Sequence, residues 1–330
     1  MRRWPVLVNL AVLAGTVLLF AGGLEVALRL RFAHSLDFAM EMWKYAVELK
    51  RPVADPQLSF THVPNRSAFL MGVRVTTNSQ GLRDREYSLE KPPGVYRIVM
   101  LGDSTTLGWG VPAQQTVAKI LERRLNQAGG QRFEVLNAGV GNYGTVQEVT
   151  HYKTYDRAFH PDLVILEYFI NDVEPVPREK TVGWLSRSYL AAFALSRYDA
   201  LLRFSGRRPQ WAEYYAGLYE EGRPGLRAAQ EALRDLAEIT SRDGVKLLVA
   251  ILPELHEING AYRFAREHQK IKDELAVTRT PVMELIEGLR SHGPESSLWV
   301  TPADPHPNGK ANALIAAQIA PWVLKAAGVR

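Results

Sequence analysis

Residues 162–172 read DLVILEYFIND, a continuous apolar run that ends in two polar side chains, Asn171 and Asp172. Strands that are buried on both faces have this pattern, and they are typical of parallel sheets covered by helices. The run therefore predicts a central strand over residues 162–169 of an α/β domain, with polar residues directly after its carboxyl end.

The rest of the chain alternates between apolar runs and amphipathic stretches. Strands are predicted at residues 97–101, 133–137 and 245–252, with residues 282–286 and 298–300 as candidates for a fifth. Helices are predicted at residues 114–127, 225–242 and 309–326. This alternation predicts a flavodoxin-like three-layer α/β/α sandwich around a mainly parallel five-stranded sheet.

One segment, residues 174–224, does not follow the alternation. It is an insertion rich in aromatic residues: Trp184, Tyr189, Phe193, Trp211, Tyr214, Tyr215 and Tyr219. Such a cluster can cap a site, rest on a membrane or add to the core. We favour a cap, or lid.

Composition excludes several classes of protein. The 330 residues are 46% hydrophobic and 23% charged, as in an ordinary globular protein. The sequence contains no cysteine, which excludes disulfides, cysteine-ligated metals and a thiol nucleophile. The net charge of +5 is mild and the basic residues are scattered, so we expect no nucleic-acid partner.

The N-terminus carries an apolar segment. Arg2 and Arg3 precede 21 uncharged residues, 4–24, which as a helix would span about 31 Å, close to the thickness of a bilayer core. The run is longer than the apolar part of most cleaved signal peptides, so we favour an uncleaved anchor over a cleaved signal or a buried helix. The positive charge before it predicts a cytoplasmic N-terminus and an extracytoplasmic domain.

Residues 33–92 are predicted to form a helical stalk and a lead-in segment. A strand is expected at residues 73–77 and a turn at residues 78–81, and Pro92-Pro93-Gly94 separates this part from the main domain. The predicted domains are thus residues 1–32, a cytoplasmic tip and transmembrane anchor, residues 33–92, and residues 93–330.

Polar residues follow several predicted strands. Gly102-Asp103-Ser104 comes after the first strand, a glycine-rich loop from Asn137 to Gly144 after the second, and Asp304-Pro305-His306 stands before the last helix. In an open parallel sheet, ligands bind at the carboxyl ends of the strands. A serine, an amide and a histidine with a nearby carboxylate are therefore expected at one edge, which suits acyl transfer.

Each of these residues has a role that its chemistry suggests. A serine hydroxyl needs a base to take its proton, which makes Ser104 the candidate nucleophile and His306 the candidate base. Asp304 is the nearest carboxylate that could orient His306. Backbone N–H groups of Ser104 and of residues 139–142, with the Asn171 amide, are candidate donors to an oxyanion. Taken singly, each motif is more often a turn or a helix cap.

Together these blocks resemble those of the SGNH, or GDSL-type, serine hydrolase superfamily. Its four blocks match Gly102-Asp103-Ser104, residues 137–145, Ile170-Asn171-Asp172 and residues 304–306, over about residues 95–325. The apolar N-terminus and residues 78–84, NSQGLRD, also resemble a bacterial subgroup with one transmembrane helix. The resemblance implies ester hydrolysis or acyl transfer by Ser104, His306 and an acidic partner, without metal or cofactor.

The sequence departs from the family pattern in two places. The family's second-block glycine corresponds to Asn142 in an ungapped alignment, with Gly141 beside it, so either residue is a candidate oxyanion donor. The last block is usually Asp-x-x-His, whereas this chain has Asp-x-His, with Ala303 at the position of the acid. Asp304 can serve only if the loop turns it back towards His306.

We therefore expect a membrane-anchored serine esterase of the bacterial envelope that acts on an acylated small molecule, glycan or lipid, with an O-acetyl ester as one candidate. Two alternatives remain open. An O-acyltransferase would use the same residues with a sugar hydroxyl in place of water. A non-catalytic glycan-binding or scaffold subunit would keep the fold without the activity. The sequence does not predict an oligomeric state.

Overall fold

A five-stranded parallel sheet lies at the centre of the computed structural model, which describes residues 4–177 and 184–329. Its strands are β5 (Val95–Leu101), β6 (Arg132–Asn137), β7 (Leu163–Tyr168), β8 (Lys246–Ile251) and β9 (Val282–Glu284). They stand in the order β6-β5-β7-β8-β9, which is the flavodoxin-like order. All six residues of β7 are buried, as the apolar run predicts.

Helices cover both faces of this sheet. On one face pack α5 (Thr145–Thr154), α8 (Pro224–Arg242) and α9 (Ala265–Val277). On the other face pack α4 (Val117–Ala128) and α10 (Gly309–Ala327). The three-layer α/β/α sandwich expected from the sequence is confirmed, and the helices predicted at residues 114–127, 225–242 and 309–326 are all present.

The candidate strand at residues 298–300 does not belong to the main sheet. The fifth strand is β9, whereas β10 (Trp299–Thr301) pairs antiparallel with β11 (Asp304–Pro307) in a separate hairpin. The register of this hairpin shifts between Trp299 and Thr301, where an irregularity interrupts the ladder. Its position matters for the site, because β11 carries both Asp304 and His306.

The N-terminal region begins with helix α1 (Trp4–Arg31). Residues Pro5–Arg31 are long and apolar enough to cross a membrane, although a signal sequence would meet the same criterion. The C-terminal end of α1 contacts the insertion, because the Glu25 carboxylate accepts hydrogen bonds from Ser188 Oγ at 2.9 Å and from the Tyr189 and Leu190 N–H groups at 3.0 and 2.9 Å.

The predicted stalk, residues 33–92, packs against the domain rather than standing apart from it. It contains α2 (Phe38–Leu49) and two small antiparallel pairs, β1 (Lys50–Pro52) with β2 (Phe60–His62) and β3 (Ser67–Leu70) with β4 (Val73–Thr76). Tyr45 and Leu49 of α2 share an apolar cluster with Leu107 and Trp109 of the main domain. The strand predicted at residues 73–77 is present.

The insertion has two helices in its described part, α6 (Tyr189–Phe204) and α7 (Trp211–Leu218). Tyr189 and Phe193 pack against Leu28 and Phe32 near the end of α1. Tyr219, after α7, joins the core, and its hydroxyl lies 2.6 Å from that of Tyr168. Residues 178–183 and the side chain of Trp184 lie outside the described part.

Candidate active site

Ser104 stands at the carboxyl end of β5, as the first residue of the short helix α3 (Ser104–Leu107). Asp103 caps this helix by accepting a hydrogen bond from the Thr105 N–H at 2.8 Å. The loop after β6 approaches α3 closely at Gly139, where an added Cβ would lie 2.2 Å from the Leu107 nitrogen. A glycine is therefore required there for the two loops to meet.

His306 and Asp304 reach Ser104 from hairpin β10–β11. The Nε2 of His306 lies 2.9 Å from the Oγ of Ser104, and its Nδ1 lies 2.5 Å from the Oδ1 of Asp304. The same Oδ1 accepts the backbone N–H of His306 at 3.1 Å. These two hydrogen bonds hold Asp304 against His306 despite the short Asp-x-His spacing. The three side chains thus form a continuous hydrogen-bonded chain with the geometry of a Ser-His-Asp triad.

Asp304 is buried and has a second partner. Its Oδ2 accepts a hydrogen bond from the indole N–H of Trp109 at 3.0 Å, across 195 residues of sequence. Burial by itself raises the pKa of Asp304, but the hydrogen bonds from His306 and Trp109 and the charge of His306 outweigh it, so the pKa is lowered. The carboxylate is therefore ionised at neutral pH.

The ionised Asp304 changes the basicity of its neighbour. Burial by itself lowers the pKa of His306, but the hydrogen bond and the charge of Asp304 outweigh burial and raise it. A more basic imidazole is a better acceptor for the Ser104 proton, provided that it starts neutral.

The Asp103 carboxylate organises the residues around Ser104, the candidate nucleophile. Its Oδ1 accepts from the Thr105 N–H and hydroxyl at 2.8 and 2.9 Å. Its Oδ2 lies 3.3 Å from Ser104 Oγ and accepts from Asn171 Nδ2 at 3.2 Å. Because the His306 nitrogen is the nearer acceptor, the Ser104 hydroxyl has its shorter contact with the base.

The candidate oxyanion donors differ in how they are already bonded. An amide nitrogen has two N–H groups, and Asn171 uses one on Asp103, which leaves a second for a ligand. The Gly141 N–H donates to the Tyr45 hydroxyl at 2.8 Å. Asn142 is exposed at a φ of 65°, and within the described ranges its N–H has no hydrogen-bond partner. Of the two alternatives, the free donor is that of Asn142.

Residues of the lead-in hold both loops of the site, which the sequence alone did not indicate. The Tyr45 hydroxyl that accepts from Gly141 also lies 2.6 Å from His62 Nε2. The buried Arg83 guanidinium donates to the carbonyl groups of Leu107 and Gly108 at 2.9 and 2.5 Å, where α3 ends. Arg83 lies in the NSQGLRD stretch, the one sequence signal that pointed to this segment.

Three buried carboxyl groups lie behind the site. Burial raises the pKa of both Glu148 and Asp172 well above the usual range; the charges of Asp103 and Glu167 add to this for Glu148, and the charge of Glu148 adds to it for Asp172. None of their four carboxyl oxygens has a hydrogen-bond partner in the described structure. Burial also raises the pKa of Glu167 to about 7, although the Thr106 hydroxyl donates to it at 2.5 Å. All three carboxyl groups are therefore harder to ionise than an exposed carboxyl group.

A cavity of about 450 Å³ opens beside His306. Phe38 of α2 and Thr105 line it near the candidate triad, and Trp211 and Tyr215 of α7 line it from the insertion. Its volume lies within the range of roughly 300–1,000 Å³ that is usual for small-molecule sites. Among residues 4–177 and 184–329, no three His, Asp or Glu side chains converge in a way that could hold a metal ion.

The fold and the sequence blocks at its carboxyl edge define an enzyme that acts on ester bonds. A family model described as GDSL-like Lipase/Acylhydrolase matches residues 100–314, which is more than half of the chain. The chain belongs to the GDSL-like lipase/acylhydrolase family, as the resemblance of the four blocks predicts. A comparison with curated proteins finds no match.

Solved structures with a similar fold include other hydrolases. The lipase/acylhydrolase from Enterococcus faecalis is 14% identical, with a TM-score of 0.45 over 69% of this chain and 95% of that one. A two-domain esterase active on acetylated mannans is 17% identical, with a TM-score of 0.45 over 70% of this chain and 50% of that one. An acetyl xylan esterase, AlAXEase, is 13% identical, with a TM-score of 0.44 over 69% and 99%.

Proposed function

We propose that this protein is a membrane-anchored serine esterase that hydrolyses an acyl ester of an envelope glycan or lipid, with an O-acetyl group as the leading candidate. The observation that carries the proposal is the chain of contacts from Ser104 Oγ to His306 Nε2, 2.9 Å, and from His306 Nδ1 to Asp304 Oδ1, 2.5 Å. A serine hydroxyl held against a histidine that is itself bonded to a buried carboxylate is the arrangement that activates a serine nucleophile.

In the proposed reaction, His306 takes the proton of Ser104 as its oxygen attacks the ester carbonyl carbon. The tetrahedral intermediate places its negative oxygen near the N–H groups of Ser104 and Asn142 and the free N–H of Asn171. His306 then gives the proton to the departing alcohol, and an acyl ester of Ser104 is left. Water, deprotonated by His306, attacks this ester, and the acid leaves as Ser104 regains its proton.

The membrane assignment rests on α1. The helix is apolar, its most apolar 18-residue stretch is exposed, and Arg2 and Arg3 precede it in the sequence. As a signal anchor with a cytoplasmic N-terminus it would hold the catalytic domain on the extracytoplasmic side. Because the chain has no cysteine, a single cysteine introduced at exposed Glu238 of α8 tests this: a membrane-impermeant maleimide should label it in intact cells.

The activity is tested on the full chain in detergent, because Tyr45 and Phe38 of α2 contribute to the site and a fragment beginning near residue 50 would lack them. Wild type and Ser104→Ala are treated with a fluorophosphonate probe and assayed on 4-nitrophenyl acetate. We expect labelling and turnover of the wild type alone. A folded wild type that neither labels nor turns over would refute the proposal, and turnover that requires an added sugar acceptor would identify a transferase.

A further inference from the structure

A second histidine–carboxylate pair faces the cavity beside the candidate triad. His256 and Glu254 line this cavity together with His306. The Nδ1 of His256 lies 2.6 Å from Glu254 Oε1, and the backbone N–H of His256 donates to Glu254 Oε2 at 2.9 Å. The arrangement parallels that of His306 on Asp304, but there is no serine in hydrogen-bond contact with His256 in the described structure.

Aromatic rings hold His256 in place. The indole of Trp211 stacks on its ring at a centroid distance of 4.8 Å and an angle of 27°. The ring of Trp299 meets it edge-on at 4.6 Å and 65°. With Nδ1 bonded to Glu254 and two aromatic neighbours in place, the His256 side chain is still 31% exposed. Within the described part of the chain its Nε2 has no hydrogen-bond partner, so this nitrogen is available to a ligand.

Glu254 determines what that edge can do. Burial raises the pKa of Glu254, and the charge and the two hydrogen bonds of His256 oppose this rise. Both carboxyl oxygens of Glu254 face nitrogen atoms of His256, and a carboxylate that accepts from both of them holds the ring proton on Nδ1 and leaves Nε2 as an acceptor. An Nε2 acceptor on a fixed ring is suited to a hydroxyl group of a ligand.

The chemistry of ester cleavage says which part of the substrate the cavity holds. His306 must protonate the oxygen of the departing alcohol, so the alcohol lies on the His306 side of the scissile bond. His306 lines the cavity, whereas Asn142 and Asn171, the candidate oxyanion donors, do not. The cavity is thus placed to receive the alcohol portion and not the carbonyl oxygen.

We propose that His256, oriented by Glu254, binds a second hydroxyl group of the alcohol, so that the enzyme prefers esters of polyhydroxylated alcohols such as partly acylated sugars. This inference rests on the proposed esterase function and narrows its substrate class. His256 is a substrate-binding residue in this scheme, and Glu254 is a positioning residue that acts through it.

The test compares two acetyl esters on the full chain in detergent. A methyl xyloside carrying one acetyl group retains free hydroxyls, whereas 4-nitrophenyl acetate has none. The variant His256→Phe keeps a ring for Trp211 to stack on and removes the hydrogen bond. Since such a bond contributes about a factor of five to ten, kcat/KM for the xyloside should fall by about that factor through KM, and that for 4-nitrophenyl acetate should change less than about twofold.

Two further variants keep the test decisive. His292 is exposed, and its one hydrogen bond in the described part of the chain is through its backbone carbonyl group, which accepts from Lys310. His292→Phe is therefore the matched control and should change kcat/KM for neither ester. Glu254→Gln, expected to reverse the tautomer of His256, should lower kcat/KM for the xyloside by about threefold and spare 4-nitrophenyl acetate. Equal losses on both esters, or no loss on the xyloside, in folded His256→Phe would overturn the inference.

Equilibrium binding separates this inference from the esterase proposal. Calorimetry measures binding of the monoacetylated xyloside to Ser104→Ala and to the double variant Ser104→Ala/His256→Phe. About tenfold weaker binding by the double variant supports the role of His256, even if the wild type hydrolyses neither ester and the esterase proposal fails. Equal binding by the two proteins, or no binding by Ser104→Ala, would overturn it.

Discussion

Replacing Asp304 by asparagine tests the least expected contact of the site, and the structure indicates how the amide would sit. Three N–H groups point at the carboxylate: His306 Nδ1 and N at Oδ1, 2.5 and 3.1 Å away, and Trp109 Nε1 at Oδ2, 3.0 Å away. Asparagine has one oxygen and one NH₂ group, so no orientation can accept from all three. At least one pair of donors is left facing each other, which costs about 1–3 kcal/mol.

The two orientations of the introduced amide have different consequences for catalysis. With its oxygen towards His306 the correct tautomer survives beside a neutral partner, but the NH₂ group opposes Trp109. With the NH₂ group towards Nδ1, the imidazole carries its proton on Nε2 and cannot accept that of Ser104. We therefore expect Asp304→Asn to lower kcat/KM for 4-nitrophenyl acetate by about 10³–10⁴, or roughly 4–5.5 kcal/mol.

A second substitution distinguishes this explanation from general damage. Trp109→Phe removes the donor that opposes the amide, so in Asp304→Asn/Trp109→Phe the productive orientation is favoured and activity should recover about tenfold over Asp304→Asn. Trp109→Phe alone should lower activity only a few-fold, because Oδ1 keeps both of its bonds.

Asp156→Asn is the matched control, since it alters another buried histidine–aspartate pair, in which His151 Nδ1 lies 2.7 Å from Asp156. It should leave kcat/KM within about threefold of the wild type. The assay is steady-state hydrolysis below the melting temperature of every variant. If folded Asp304→Asn keeps more than a tenth of the wild-type activity, the assignment of Asp304 as the triad acid is wrong.

Three other outcomes are expected. Asn171→Ala should lower kcat by about 10²–10³, because it loses the side-chain donor to the oxyanion. Asn142→Gly keeps a backbone N–H at a position where φ is 65°, so its kcat should stay within about threefold of the wild type. A loss of kcat below tenfold in Asn171→Ala would exclude Asn171 from the oxyanion hole. The pKa of His306 is raised above 6.5, and its neutral form is the proposed base. A plot of kcat/KM against pH should therefore rise through an apparent pKa above 6.5. In Asp304→Asn this rise should occur at lower pH. Burial raises the pKa of Glu167 from 4.5 to about 7, so its contribution to stability is full below pH 4.5 and is lost as pH rises through 7. Chemical unfolding at several pH values should show a loss on the order of 3 kcal/mol between those limits that Glu167→Gln lacks, and parallel pH profiles of the two proteins would contradict this.

The predictions for the insertion and the lead-in segment differ most from the structure. The aromatic residues of the insertion read as one cluster, but Tyr189 and Phe193 pack beside α1 while Trp211 and Tyr215 line the cavity. Composition does not separate these destinations, because an aromatic side chain gains from burial against any apolar surface. The lead-in segment is predicted to contain a stalk, yet its Tyr45 and Arg83 form hydrogen bonds with the two loops of the site.

The amino-acid sequence by itself determined the layers and the edge at which the chemistry lies. Continuous apolar runs such as residues 163–168 favour strands buried between helices, and parallel strands bring the residues that follow them to one edge. That is enough to group Ser104 and Asn171, whereas His306 comes to them on the separate hairpin β10–β11.

Only the tertiary structure decided which partner each of these residues has. The hairpin β10–β11 turns Asp304 back onto His306, and Trp109 reaches Asp304 from 195 residues away. The hydroxyl group of Tyr45, 96 residues away in sequence, accepts the backbone N–H of Gly141, whereas the backbone N–H of Asn142 stays free. Such contacts depend on how separate segments pack in space, and local sequence patterns carry no signal for distances of that kind.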